Sequence, residues 1–155
     1  MGKTNAVRII EQAGVDYSLF EYEFSEDEID AVSVAKKIGA PPEEVFKTLV
    51  ARNNISDILV FVLPGNFELD LKKAAQVSHS RKIELISLKE LLPLTGYIRG
   101  GCSPVGMKKK YLTFIDEAAL LFDEIYVSAG VRGIQIKINP ESLAELVNAN
   151  FAEIT

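Results

Sequence analysis

The chain has 155 residues, of which 48% are hydrophobic and 25% charged, and its formal net charge is −5. This balance is typical of a globular domain and excludes a disordered segment, a collagen-like repeat or a coiled coil as the main structure. The single cysteine excludes a disulfide framework and a four-cysteine metal cluster. The longest apolar run is too short to cross a bilayer and the start of the chain lacks a signal peptide's apolar core, so we expect a cytoplasmic protein without a membrane partner.

The net charge conceals an uneven distribution along the chain. Residues 1–70 carry 13 acidic and 6 basic side chains, whereas residues 71–110 carry 9 basic and 2 acidic ones. Residues 111–155 are acidic again, with 7 acidic and 2 basic side chains. A basic stretch in an acidic protein is a candidate surface for a polyanion. Charge alone nevertheless favours the alternative, a set of solvated lysines on ordinary helices and loops.

Hydrophobic periodicity divides the chain into short helices and strands. Apolar residues spaced three and four apart predict helices, and alternation of apolar and polar residues predicts strands. In chain order the predicted elements are a helix between Thr4 and Gly14, a strand over 17–24, a helix between Asp30 and Gly39, strands over 45–52 and 58–63, a short helix opened by Asp70, a strand over 83–86, a helix from Ser87 to near Pro93, strands over 112–115, 124–128 and 134–138, and a helix over 140–148. We therefore expect one α+β domain over 1–155, with about seven strands and four or five short helices.

One segment does not fit a regular element. Residues 95–106 contain four glycines and one proline in twelve residues, which predicts a loop of defined shape. Gly100 and Gly101 would allow backbone N–H groups to approach a ligand carbonyl or phosphate, because no side chain stands in the way. The alternative is a tight turn without a ligand.

Lys47 lies in a predicted strand whose neighbouring residues are mostly apolar. It follows Phe46 and precedes the pair Leu49 and Val50 by two residues. A lysine that faces a pocket here would be removed from water and would hold an anion, or an oxyanion formed during a reaction, strongly. The alternative is a lysine on the solvent face of a half-exposed strand, and the sequence supports the two equally.

The usual catalytic sets are missing from the sequence. His79 is the only histidine and lies in a polar connection, so a surface position is favoured, and a zinc site would lack ligands. No Walker or dinucleotide-binding glycine motif occurs. Cys102 has no histidine near it in sequence, so a small apolar filler is favoured over a nucleophile. We expect neither a metal nor an organic cofactor.

Two motifs become specific when they occur together, namely Phe-Lys-Thr-Leu at 46–49 and Gly-Gly-Cys-Ser-Pro-Val-Gly at 100–106. Further segments extend the pattern over nearly the whole chain: Lys-Thr-Asn-Ala at 3–6, Glu-Leu-Asp-Leu-Lys-Lys-Ala at 68–74, Thr-Gly-Tyr at 95–97, Lys-Lys at 108–109, Ile-Tyr-Val-Ser at 125–128 and Arg-Gly at 132–133. In this combination the chain resembles the YbaK/EbsC family of stand-alone aminoacyl-tRNA deacylases, the Cys-tRNA(Pro) deacylases. Similar domains occur as the editing insertion of bacterial prolyl-tRNA synthetases and in alanine-specific relatives.

The resemblance implies both a fold and an activity. The implied fold is an α+β domain with a mixed, mostly antiparallel and partly barrel-like sheet. The implied activity is trans-editing, in which the enzyme hydrolyses the ester between a mischarged amino acid and the terminal adenosine of tRNA. Cys-tRNA(Pro) is the implied substrate because of the loop sequence at 100–106, and a transient complex with prolyl-tRNA synthetase is an implied partner. An Ala-tRNA(Pro) deacylase is the nearest alternative.

The resemblance also assigns roles to individual residues. Lys47 matches the family's essential lysine, Tyr22 a pocket tyrosine, Gly100 and Gly101 the loop that faces the substrate, and Ser128 a polar pocket residue. Basic residues from the central stretch then become candidates for tRNA binding: Lys72, Lys73, Arg99, Lys108, Lys109 and Lys110. Four positions depart from the family pattern, with Cys102 in place of an aliphatic residue, Ala129 of a glycine, Val131 of a common lysine, and Gln135 of the aspartate found in some members.

No protein nucleophile is needed in the implied mechanism, because an aminoacyl ester is already activated. The resemblance implies that the thiol of the substrate's cysteine attacks its own ester carbonyl, while the protein positions the ester and stabilises the oxyanion. Lys47 would supply positive charge to the carbonyl oxygen or the adenosine end, and Tyr22 would shape the pocket. Two other classes stay open, a module that binds tRNA without catalysis and an enzyme that uses Cys102 as its nucleophile.

Overall fold

The computed structural model describes residues 3–155, which form two β-sheets and five α-helices. The helices are α1 (Asn5–Gln12), α2 (Ala31–Ile38), α3 (Leu71–Val77), α4 (Leu88–Thr95) and α5 (Pro140–Val147). The strands are β1 (Tyr17–Glu21), β2 (Phe46–Asn53), β3 (Ile58–Pro64), β4 (Ile83–Leu85), β5 (Leu112–Asp116), β6 (Ile125–Ser128), β7 (Ile134–Ile138) and β8 (Asn150–Ala152). None of the helices in this described part is long and apolar enough to cross a bilayer.

The two sheets differ in size and in pairing. The smaller sheet has the order β1-β7-β6 and is antiparallel, whereas the larger has the order β4-β2-β3-β5-β8 with two parallel pairs, β3 with β5 and β5 with β8. A parallel bridge between Val45 and Tyr126 joins the sheets at one point. The α+β class and the mostly antiparallel pairing are therefore confirmed. The expected partial barrel is corrected to two sheets that do not close, with eight strands where the sequence predicted about seven.

The central strand β3 is covered on both faces, which explains its uninterrupted apolar sequence. Val60 and Val62 belong to a core between the two sheets, to which α1 and α5 contribute residues such as Ile10 and Leu143. On the opposite face of the larger sheet, Phe61 packs in a second cluster made mainly with α3 and the C-terminal residues. The five-stranded sheet is therefore the middle layer of the protein.

The structure departs from the predicted elements in three places. β1 ends at Glu21 rather than at residue 24, although the N–H of Tyr22 still donates to the carbonyl of Gly133 at 2.9 Å. α4 continues through Pro93 to Thr95, because a proline in the last turn removes only one helical hydrogen bond. β8 has three residues, too few for an alternating pattern, and it is held by its parallel neighbour β5.

Candidate active site

A cavity of about 380 Å³ opens along the free edge of β2. β4 pairs only with the second half of β2, from Ala51 to Asn53, so the first half has no neighbour on the side away from β3. That gap is closed instead by the end of the smaller sheet, by α4 and by the glycine-rich loop after it. The volume lies near the lower end of the range for ligand pockets, about 300–1,000 Å³. The main lining residues are Ile29, Asp30, Val34, Phe46, Lys47, Thr48, Leu49, Val50, Gly65, Leu85, Ser87, Leu88, Leu91, Arg99, Gly100, Cys102, Ser128 and Gln135.

Lys47 is a half-buried member of this lining, which decides between the two interpretations that its sequence left open. Its Nζ donates to the carbonyl of Gly65 at 3.4 Å, a long contact to a neutral acceptor. The salt bridges within residues 3–155 do not include Lys47. A cation without a carboxylate partner at the wall of a small cavity is well placed to attract an anionic or strongly polar ligand group.

The position of Lys47 depends on a close approach of the backbone at Gly65. A Cβ atom on Gly65 would lie 2.3 Å from the Cβ of Ala31 and 2.8 Å from the carbonyl oxygen of Val45. Glycine therefore allows the first turn of α2 to pack directly on the end of β3. The carbonyl of Gly65 also accepts the hydrogen bond from Lys47. The packing of α2 on Gly65 therefore also determines where the ammonium group of Lys47 lies.

Two buried polar atoms in the cavity wall have no hydrogen-bond partner among the described residues. They are the Oγ1 of Thr48 and the Oε1 of Gln135. A buried donor or acceptor without a partner costs about 1–3 kcal/mol, so proteins rarely keep one without a use. Ser128 lies beside Gln135 in the β6–β7 pair, and its Oγ accepts from the N–H of Gly130 at 3.1 Å, which leaves its proton free to donate. Thr48, Ser128 and Gln135 thus all belong to the cavity lining, while the Oγ1 of Thr48 and the Oε1 of Gln135 are shielded from solvent.

The glycine-rich loop forms another side of the cavity, but its two glycines differ. Gly100 lies on the lining with a φ of 86°, and a Cβ there would lie 2.8 Å from the Cβ of Ile29. Gly101 is buried against the backbone of Val131, outside the lining, and its N–H donates to the carbonyl of Ile98 at 2.9 Å. The expectation that both glycines offer backbone N–H groups to a ligand is therefore corrected for Gly101, whose N–H is already used.

Cys102 lines the cavity but is not prepared for nucleophilic attack. Burial raises the pKa of its thiol to about 12. A thiol needs a lowered pKa, usually from a nearby cation or base, to react as thiolate near neutral pH. Cys102 is therefore a neutral, apolar wall residue, as its sequence context favoured.

Helix α4 forms the last side of the cavity. An ion pair between Arg52 of β2 and Glu90 of α4 holds the helix in this position. The Nη2 of Arg52 lies 2.6 Å from the Oε1 of Glu90. This contact, together with the N–H and hydroxyl of Ser87 at the start of the helix, lowers the pKa of Glu90 to about 2. Ser87 and Glu90 thereby form a capping box, which fixes the start of α4 at the wall of the cavity.

Tyr22 lies outside the cavity. It is half buried and borders a separate open depression with Glu23, Phe24 and Lys37. The strand predicted over 17–24 would include Tyr22, but β1 ends at Glu21. Its assignment as a pocket residue stays a prediction, and the structure brings Lys47, Gly100 and Ser128 together without it.

The predicted tRNA-binding residues also separate into groups. Arg99 is exposed and lies at the cavity, and Lys108, Lys109 and Lys110 form an exposed run after the glycine-rich loop. Lys72 is exposed on α3. Lys73, in contrast, donates to Glu153 and to the carbonyl of Thr155, both at 2.7 Å, and so holds the C-terminal residues in place.

Sequence reasoning did not identify Thr48 as a functional residue and mentioned Gln135 only as a departure from a family pattern. The available signal was a polar residue inside an apolar strand, threonine after Lys47 in β2 and glutamine between two isoleucines in β7. That signal does not reveal whether the side chain finds a partner, because the partner would come from a distant part of the chain.

A two-sheet α+β domain with an open cavity lined by a lysine, other polar side chains and a glycine-rich loop is typical of proteins that bind a small polar group in a pocket. Comparison with known families identifies the family within this class. Residues 26–146 match the family model of the aminoacyl-tRNA editing domain. The chain therefore belongs to the aminoacyl-tRNA editing domain family, which confirms the resemblance drawn from its motifs.

Individual relatives agree with this assignment. The chain is 50% identical over 153 residues to a candidate Cys-tRNA(Pro)/Cys-tRNA(Cys) deacylase, EbsC of Enterococcus faecalis, an alignment that covers 99% of this chain and 93% of that protein. It is 26% identical over 123 residues to the uncharacterized protein YwhH of Bacillus subtilis, covering 79% and 78% of the two chains. A solved candidate trans-editing enzyme for prolyl-tRNA synthetase is 23% identical, with a TM-score of 0.84 over 99% of each chain, which shows the shared fold.

Proposed function

We propose that the protein is a trans-editing hydrolase that removes cysteine from mischarged Cys-tRNA(Pro) by cleaving the ester to the terminal adenosine. The observation that carries this proposal is the cavity itself. It combines a lysine without a carboxylate partner, the unpartnered polar atoms of Thr48 and Gln135, and no histidine or reactive thiol among its described lining residues. Such a site suits a substrate that is already activated and that needs positioning and charge stabilisation.

In this proposal the nucleophile belongs to the substrate. The thiol of the cysteinyl group loses its proton, its sulfur forms a bond with the ester carbonyl carbon, and the bond from that carbon to the ribose oxygen breaks. The ribose oxygen takes up a proton, and water then opens the cyclic thioester to free cysteine. The protein contributes the ammonium group of Lys47 near the carbonyl oxygen, where negative charge develops.

The other residues of the cavity hold the aminoacyl group. Ser128 retains a free hydroxyl proton, and the amide of Gln135 offers both a donor and an acceptor, so the two side chains provide partners for the polar atoms of the substrate. Gly100 keeps the loop close to the aminoacyl group because it carries no side chain. The small volume of the cavity favours an amino acid with a short side chain.

The proposal extends to partners and location. The substrate is an aminoacyl-tRNA, whose phosphates would meet Arg99 and the run Lys108 to Lys110. A transient complex with prolyl-tRNA synthetase would supply selectivity for tRNA(Pro), and the name of the structural neighbour supports this part of the proposal. We place this activity in the cytoplasm and assign the chain to one editing domain.

The experiment compares loss of charge from Cys-, Ala- and Pro-tRNA(Pro) and from Cys-tRNA(Cys), with and without enzyme. We expect rapid release of cysteine from both tRNAs and little release of proline. Faster release of alanine than cysteine would identify an Ala-tRNA(Pro) deacylase, and tRNA binding without release would identify a binding module.

A second substrate tests the source of the nucleophile. S-methylcysteinyl-tRNA(Pro) has nearly the same shape as the natural substrate but lacks a free thiol, so we expect it to resist hydrolysis. Equal rates for the two substrates would show that water or a protein group attacks the ester instead.

A further inference from the structure

The mouth of the cavity is formed by residues that line it and are also exposed to solvent. These residues are Asp30, Leu85, Ser87, Leu88 and Arg99. They comprise an apolar part, the end of β4 with the start of α4, and a charged part, Asp30 with Arg99. Asp30 has a lowered pKa, mainly because the hydroxyl of Ser33 donates to it and in smaller part because Arg99 is near.

The apolar part of the mouth consists of two exposed leucines that line the cavity. Leu85 is 50% exposed and Leu88 is 63% exposed, and both belong to the cavity lining. β4 is the edge strand of its sheet, so nothing within residues 3–155 pairs with its outer side. Because these two side chains border the cavity, a ligand that extends out of it would cover them.

We propose that Leu85 and Leu88, called here the leucine lip, bind the adenine base of the terminal nucleoside of aminoacyl-tRNA. This inference rests on the proposed function, because it requires the ester to lie in the cavity. The lip is continuous with that cavity, so a base attached to the esterified ribose leaves the cavity directly beside it.

The chemistry of the mouth fits a purine nucleotide. The two faces of an adenine ring are apolar and flat, and leucine side chains remove such a face from water at a gain that grows with the area covered. Arg99 supplies the positive charge that the adjoining phosphate requires, and the salt bridges within residues 3–155 do not include its guanidinium group. The leucine lip therefore binds the terminal adenosine, which every tRNA shares. It contributes to affinity for the tRNA and not to selectivity for the amino acid.

Leu92 provides a matched control for the lip. It lies one turn after Leu88 on α4 and is 51% exposed, but it does not line the cavity. The same substitution at the two positions removes similar apolar surface from the same helix. Any difference between Leu88→Ala and Leu92→Ala then reports contact with the ligand.

The first test compares a substrate that has the nucleoside with one that lacks it. We expect Leu88→Ala to raise KM for Cys-tRNA(Pro) by about 5- to 10-fold with little change in kcat, the effect of losing part of a leucine contact. For cysteine methyl ester, which lacks the nucleoside, Leu88→Ala should lower kcat/KM about 5- to 10-fold less than it does for Cys-tRNA(Pro). Leu92→Ala should leave both substrates unaffected. Equal decreases on both substrates, or equal decreases in both variants, would overturn the inference.

The second test does not depend on catalysis. Adenosine 5′-monophosphate is titrated into protein with labelled leucine methyl groups, and the methyl NMR signals are followed. We expect shifts at Leu85 and Leu88, none at Leu92, and weaker binding by Leu88→Ala. If the wild-type enzyme released no amino acid, the proposed function would fail while this titration still tested the lip. Shifts elsewhere, or none at saturating nucleotide, would refute the lip itself.

Discussion

Asp116 and Gln135 are both buried polar residues, 3% and 5% exposed, but their surroundings differ. The two carboxylate oxygens of Asp116 accept the N–H groups of Ala118 at 3.1 Å and Ile154 at 3.0 Å, so the side chain closes the C-terminal segment onto β5. The Oε1 of Gln135, like the Oγ1 of Thr48, has no partner within residues 3–155 and lies in the cavity wall. The comparison separates a buried polar group that bonds to the fold from two that have no partner among the described residues.

The two kinds of buried polar group contribute differently to the free energy of unfolding. A buried hydrogen bond contributes about 0.5–1.5 kcal/mol net, whereas a buried group without a partner costs about 1–3 kcal/mol. Removal of Asp116 should therefore weaken the fold, while removal of the Gln135 amide should not. The same reasoning predicts opposite effects on activity, and the variants of Asp116 and Gln135 described below test the two sides of the comparison.

The largest effect is expected at the cation of the cavity. Lys47→Ala should lower deacylation of Cys-tRNA(Pro) by about 100- to 1,000-fold, the usual cost of losing one group that stabilises an oxyanion. The free energy of unfolding should change little, because Nζ makes only one long hydrogen bond within the described residues. Single-turnover kinetics and urea unfolding measure the two quantities.

An exposed lysine serves as the control for this variant. Lys82 pairs with Glu84 across 3.5 Å, and both side chains are largely exposed, so Lys82→Ala should retain normal rates. A folded Lys47→Ala protein with near-normal turnover would remove Lys47 from the site and would also weaken the proposed mechanism.

Asp116→Ala tests the group that the fold uses. It leaves the buried N–H of Ile154 and the partly buried N–H of Ala118 without an acceptor, so we expect the free energy of unfolding to fall by about 1–3 kcal/mol for the buried group and by less for the other. Below the unfolding transition the folded fraction should keep its activity, because Asp116 is not part of the cavity. Asp123→Asn, at an exposed position, is the control, and a neutral effect of Asp116→Ala on urea unfolding would contradict the comparison.

Gln135→Met tests the opposite case. Methionine has a similar length and no hydrogen-bonding requirement, so the variant should be as stable as the wild type or more stable by up to about 1 kcal/mol. Its kcat/KM should fall about tenfold, which corresponds to the loss of one hydrogen bond to the substrate. Gln76→Met, on the exposed side of α3, provides the control. A destabilised but fully active Gln135→Met would show that the amide serves the fold.

Much of the fold follows from local sequence. The helices that begin after Thr4 and Asp30 start where the sequence predicted, since each of these side chains accepts the N–H of the residue three positions later. β3 is recognisable because burial on both faces leaves no polar position in it. β8 has no local signal, because three residues become a strand only when β5 is present beside them.

The site was less accessible to sequence reasoning. The residue types pointed to Lys47, but whether it faced solvent depended on the short β4, which leaves half of β2 open. The Oε1 of Gln135 has no hydrogen-bond partner within residues 3–155 because no donor from a distant part of the chain lies near it. The sequence around Gln135 does not contain this information. At Gly101 the sequence suggested a free N–H, but this group donates to the carbonyl of Ile98. The two adjacent glycines alone do not predict that hydrogen bond.

The basic run at Lys108 to Lys110 lies outside both classes of buried group and should act on binding alone. We expect reversal of all three to glutamate to weaken tRNA binding and to flatten its dependence on log salt, by about 0.7–0.9 in slope for each phosphate that the variant no longer binds. Cleavage of a short aminoacylated fragment should suffer much less, since it depends on Lys47. Equal decreases on both substrates, or an unchanged salt slope, would refute this division.

The smallest effect is expected at Cys102, a weakly polar group that neither bonds to the fold strongly nor awaits a ligand. Because burial raises the pKa of its thiol to about 12, it stays protonated throughout the neutral range. Cys102→Ala should therefore retain deacylation within about threefold, as expected for a wall residue whose truncation removes a small volume. Iodoacetamide should react slowly with the folded wild type at a pH of about 8 and quickly only when alkali or denaturant exposes the thiolate.

A serine variant separates packing from chemistry at this position. Cys102→Ser keeps the size of the side chain and removes the thiol, so near wild-type activity in both Cys102→Ser and Cys102→Ala confirms that the sulfur takes no part in the reaction. Complete inactivation of both variants, with unchanged circular dichroism, would transfer the nucleophile from the substrate to the protein. In that case S-methylcysteinyl-tRNA(Pro) would also be cleaved, so the two experiments must agree on where the attacking sulfur belongs.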